Sequence, residues 1–171
     1  MDSTQIAEIK NAADKLALTL SEQPATRDSF LQDPVSTISR LAPILIEGLD
    51  EQQLATLGTQ LKNDKYLSDT TTSDSVWDKE RDKIRCYSCR IGLNAAIVGL
   101  GAGALAALIV GGVVTALASV PFVTFFMSWG LSEAVATTVV AGGLAAAGAG
   151  VVGVIEAMVE LACSAIPHTC E

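Results

Sequence analysis

Four cysteines carry most of the chemistry open to this chain. Cys86 and Cys89 form a C-x-x-C pair, and Cys163 and Cys170 follow after a long apolar stretch. An even number of thiols at the two ends of one segment suits a disulfide staple, with three pairings open. The same positions could hold zinc, with Cys86, Cys89, Cys163 and either His168 or Cys170 as ligands. Redox exchange of the thioredoxin type needs a βαβ context, which the apolar flank does not offer. Free thiols are the remaining alternative. Structural disulfides fit best, with no metal or cofactor, and they require an oxidising destination.

Little else resembles a catalytic set. His168 is the lone histidine and sits near the carboxy terminus. Glu156 and Glu160 lie four apart on one helix face, which suits a helix end at an interface better than a buried proton or cation site. The GLGAG run at 99–103 has the glycines of a phosphate loop, but no strand precedes it. There is no nucleophile–base pattern, so the chain is not expected to be an enzyme. A net charge of −8 argues against nucleic acid as a partner, since phosphate affinity rests on Lys and Arg.

The elements that would position these residues fall into two unlike halves. Residues 1–90 hold all 11 Lys and Arg and 15 of the 19 acids, whereas Ile91–Ser132 has no charge at all. The fold class predicted is all-α: a small helical leader-like module over 1–62, a polar linker over 63–85, and a Cys-framed apolar domain over 86–171. Ile91–Ser119 and Leu131–Leu161 each exceed the roughly 20 residues that a membrane span needs. The aromatic segment 120–130, bracketed by Pro121 and Gly130, reads as the turn between them, with a short helix as an alternative, and its aromatic residues suit a water–lipid interface. Gly99/Gly103 and Gly142/Ala146/Gly150 form small-residue faces that let helices approach closely. Two helices about 45 Å long, folded as a hairpin, would return Cys163 and Cys170 to Cys86 and Cys89. The alternative is a compact, saposin-like bundle, with breaks at Gly111-Gly112 or Gly142-Gly143.

In the first half, Ile6, Ile9, Ala13, Leu16 and Leu20 recur at helical spacing over 4–20. A second helix is expected over Thr26–Leu31. Asp33-Pro34 should cap and start a third, lined by Val35, Ile38, Leu41 and Leu45, with Pro43 ending or kinking it. Asp50 and Gln53 occupy capping-box positions before Leu54, Leu57 and Leu61. No secretory signal peptide is visible. Residues 63–78 are polar and rich in Ser, Thr and Asp, as a linker is. The charged KERDKIR run at 79–85 reads either as a solvated helix start or as an exposed protease site, with cleavage between about Ser75 and Cys86 in a region that includes Lys83, Arg85 and Cys86.

The segment Arg27–Ile38, with Phe30, Leu31, Asp33 and Pro34, resembles the F-L-x-D-P signature of leader regions in ribosomally made peptide natural products of the nitrile-hydratase-like group. The remainder is similar in plan to bacteriocin precursors, including the halocin-C8-like ones: an acidic leader, then a Cys-containing, Gly/Ala-rich apolar toxin without cations. The resemblance implies an antimicrobial peptide, secreted after leader removal and active at a target cell membrane. It implies as partners a lipid membrane, a leader-processing protease or export machinery that reads Phe30, Leu31, Asp33 and Pro34, and an immunity protein. A different class remains open, a resident membrane protein of holin or adaptor type. Lys79, Arg81, Lys83, Arg85 and Arg90 would then hold the near side of the first span in the cytoplasm. That arrangement returns the cysteines to a reducing compartment, so disulfides separate the two ideas.

Overall fold

A computed structural model describes residues 2–64, 67, 81–100, 116–146, 148 and 150–166, with backbone alone for 81–83 and 116–121. Helix α1 (Ser3–Glu22) opens on a capping box: the Gln5 amide donates to Asp2 Oδ1 at 2.8 Å, and the Asp2 amide to Gln5 Oε1 at 3.0 Å. Its stripe of Ile6, Ile9, Ala13, Leu16 and Leu20 is buried throughout, as the spacing predicts. Helix α2 (Pro24–Gln32) places its proline where no intrahelical amide is needed, and buries Phe30. Asp33 then caps α3 (Pro34–Leu41) by accepting from the Ser36 amide at 3.1 Å. Pro43 ends that helix and starts a 3-10 turn (Pro43–Ile46) that buries Leu45. Leu41, expected on the buried side, is 42% exposed, because the helix stops there and its last turn faces solvent. Gly48, at φ +79°, turns the chain into α4 (Glu51–Asn63), and the expected Asp50–Gln53 capping box is present.

Helix α5 (Arg81–Leu100) is the centre of the molecule. Every residue from Cys86 to Val98 is buried. A helix covered on all sides needs neighbours all round. Here α1, α4 and the 3-10 turn of the first half pack on it together with α8 (Gly150–Ala165) of the second. Gly92 lets α1 and the Trp129 side chain close in: a Cβ there would lie 3.1 Å from both Ala13 Cβ and the Trp129 ring. Helix α6 (Ala116–Ser128) and α7 (Glu133–Ala145, capped by Ser132) complete the described bundle, with α7 packed between α6 and α8. One cluster of buried side chains runs from Ile6 to Cys163.

The fold is therefore all-α and a compact helical bundle, with the apolar half packed against the charged half. Two expectations change. The predicted span Leu131–Leu161 is two helices, α7 and α8, folded back on each other around 146–149. Glycine costs a helix about 1 kcal/mol in water, and the chain breaks where Gly148 and Gly150 crowd together, Gly150 at φ +77°. The break is not at Gly142-Gly143, which lie inside α7; Gly111-Gly112 lie outside the described residues. Of the predicted span Ile91–Ser119, residues 91–100 lie in α5 and 116–119 in α6, and 101–115 lie outside the described residues. Among the described residues, no helix is long and apolar enough to cross a membrane. The aromatic segment 120–130 is mostly helix, and only Trp129-Gly130 forms the turn, with Gly130 at φ +106°. Phe122, Phe125, Phe126 and Trp129 are buried in the core, not set at an interface.

Candidate functional site

The seam between the halves is held by polar side chains as well as apolar packing. Arg90, on α5, is 1% exposed, and its Nε donates to Asp64 Oδ2 at 2.6 Å. Asp64 follows the last turn of α4, is 4% exposed, and also accepts from the Leu67 amide at 3.2 Å. Asn94, one turn on from Arg90, donates to the Arg90 carbonyl at 2.7 Å, and its buried Oδ1 has no hydrogen-bond partner among the described residues. Two α4 glutamines reach across to backbone carbonyls of the apolar half. Gln53 Nε2 donates to Val98 O at 3.1 Å, and Gln60 Nε2 to Val152 O at 2.8 Å. From α1, Asp14 accepts the Ser88 hydroxyl, and Lys10 Nζ donates to Trp129 O at 3.4 Å while lying 5.5 Å from the centre of the Trp129 ring.

A cleft of about 260 Å³ opens at one end of this seam, where α1, the start of α5, the α6–α7 turn and the end of α8 meet. Lys10, Asp14, Arg85 and Ser88 supply its polar side, and Trp129, Ile166 and Cys89 its apolar floor. Cys89 is bonded to Cys163, with Cα atoms 5.9 Å apart, so the disulfide ties α5 to α8 under the cleft. Cys163 is fully buried and Cys89 6% exposed. Cys86 is disulfide-bonded as well. Cys170 and His168 lie outside the described residues.

These positions test the residues singled out above. Cys89 and Cys163 meet as a disulfide, which leaves no thiolates there for zinc, and no metal-binding group of His, Cys, Asp and Glu occurs among the described residues. Phe30 is a core residue at 2% exposure, Leu31 packs against the core, Asp33 is a helix cap and Pro34 the buried first residue of α3. Each of the four thus has a structural task in the bundle. Lys83 and Arg85 lie in the opening turns of α5, and Cys86 is buried and cross-linked, so this part of the expected cleavage stretch is helix. Proteases need an extended segment, which a helix that begins by Arg81 does not offer. The small-residue faces divide. Gly142 meets Leu161 of α8, so it does sit at a helix contact, and Gly143, not singled out, is tighter still against Met158. Ala146 caps the end of α7. Gly150 serves a turn, and a Cβ placed on it would meet nothing within 4 Å; Gly99 is exposed; Gly103 lies outside the described residues. Glu156 is exposed, which removes the buried-carboxylate alternative for it.

Sequence reasoning missed the Arg90–Asp64 pair and the cleft residues Lys10, Asp14 and Ser88. Arg90 is visible in the sequence as the last cation before the uncharged run, and in the structure it forms a buried ion pair. No protein-family model, curated relative or solved structure matches the chain.

Proposed function

We propose that this chain is the inactive precursor of a secreted, bacteriocin-like peptide, in which helices α1–α4 form a cover over apolar helices that act on a target membrane once the cover is removed. The observation that carries the reading is the Cys86–Val98 stretch of α5, in which every residue is buried, with α1, α4 and the 3-10 turn as much of its cover. Loss of that cover returns the apolar side chains on its face of α5 to water, at about 1.5–3 kcal/mol for each large one. It also removes the carboxylate of Asp64 from Arg90 and the two glutamine donors from Val98 and Val152. All four cysteines fall on the released side, and the Cys89–Cys163 bond keeps α5 and α8 together and favours an oxidising destination. Cleavage belongs in residues 75–80, ahead of α5. Permeabilisation then requires the released helices to rearrange in lipid, since none described is long enough to span it as it stands. A processing or export partner that reads Phe30 and Pro34 would have to open α2 and α3, where both are buried.

A protease site placed within 75–80 tests this. The uncut chain should leave dye-loaded vesicles intact. After cutting and separation of the two pieces, the 81–171 piece should release the dye. If the purified piece stays monomeric in buffer and leaves vesicles of every composition sealed, the reading is wrong.

A further inference from the structure

We infer that Cys89 is a site of thiol exchange for small anionic thiols, which the cleft admits to the Cys89–Cys163 bond and which Lys10 and Arg85 attract. The cleft has about 260 Å³ of room and Cys89 in its wall, whereas Cys163 is wholly buried. Cys89 is thus the half of the bond that lines the cleft, and an incoming thiolate would approach from its side. Among the described residues that line it, Lys10 and Arg85 give the cleft two cations, against one carboxylate, Asp14, which already accepts the Ser88 hydroxyl. This is an inversion of the molecule as a whole, whose net charge is −8. The long-range field repels an anion, and the local field at the Cys89 side of the cleft draws it in.

The reaction is a two-step exchange. A thiolate attacks Cys89 Sγ, the Cys89–Cys163 bond breaks, and Cys163 leaves as the thiolate; Cys89 now carries the incoming thiol as a mixed disulfide. A second thiolate attacks the external sulfur of that adduct, so that Cys89 leaves as a thiolate beside Lys10 and Arg85, cations of the kind that stabilise it. Two thiols are oxidised to their disulfide and the protein bond takes up the two electrons. The consequence is loss of the covalent tie between α8 and α5 in the intact chain, with their packing left in place, and it stands whether or not the precursor reading does.

The test uses the full chain and three probe thiols of similar size: 2-mercaptoethanesulfonate, 2-mercaptoethanol and cysteamine. Each rate is divided by the same thiol's rate on a small neutral disulfide, which removes differences in nucleophilicity. Products are trapped by alkylation and assigned by fragment mass spectrometry that separates Cys86 from Cys89. The anionic thiol should lead the cationic one by about threefold or more at low salt, and the lead should shrink as salt screens it. The first adduct should be on Cys89. In the Lys10→Gln, Arg85→Gln variant, checked for unchanged helix content, cysteamine should become the fastest. Equal rates or a cationic lead in the wild-type chain, a first adduct on Cys86, or an anionic lead that survives in the variant would each overturn the proposal.

Discussion

Taking a guanidinium out of water costs several kcal/mol, and for Arg90 the carboxylate of Asp64 at 2.6 Å offsets much of it. The two residues come from opposite sides of the seam, so the fold depends on both halves being present. Asp64→Leu should lower unfolding stability by about 3–5 kcal/mol, because it strips that carboxylate from a buried cation. The Arg90→Met, Asp64→Leu double variant should recover most of the loss, since a packed apolar pair replaces the ion pair without stranding a charge. Urea denaturation of the two variants measures this; equal losses would show that the pair is not what Arg90 relies on. Arg90 could be picked out in the sequence as a charge at the edge of apolar territory. Its partner could not, because Asp64 lies 26 residues away across the linker and is one acid among many in that half.

Helices of the first half were legible almost in full. The period of α1, the proline starts of α2 and α3, and the caps at Asp33 and Asp50 are local signals, and local physics decides those elements. The Asp2–Gln5 capping box was equally open to reading. The second half was not legible in the same way. A Gly/Ala-rich run has no polar face to show a period, so a lipid-facing helix and a fully packed one share one pattern, and only the surrounding helices distinguish them. The α7–α8 contact makes the point at Gly143, where a Cβ would overlap the Met158 side chain. Gly143→Ala should destabilise the bundle by about 1–3 kcal/mol through overpacking. Gly148→Ala, with nothing within 4 Å, should stay within about 0.5 kcal/mol of wild type. Thermal melts of the two variants decide it, and a neutral Gly143→Ala would mean that α7 and α8 slide freely on each other.

The whole molecule is one core closed by a bond across a long loop, Cys89 to Cys163, 74 residues apart. Cross-links of that span stabilise chiefly by restricting the unfolded chain, so the Cys89→Ala, Cys163→Ala variant should lose about 2–4 kcal/mol while keeping its helix content. A loss of helix together with stability would show instead that α8 cannot dock without the bond. The same separation sets a schedule during synthesis. At about 5–20 residues per second, Cys163 is made roughly 4–15 s after Cys89. For that interval the nearest thiol to Cys89 is Cys86, three residues before it, and the wrong pair is the only pair available. The covering helices α1–α4 are already complete by then, so α5 can fold against them with its thiols still reduced. Oxidation that arrives after the last helix meets the right partners, and oxidation that arrives earlier locks the chain open.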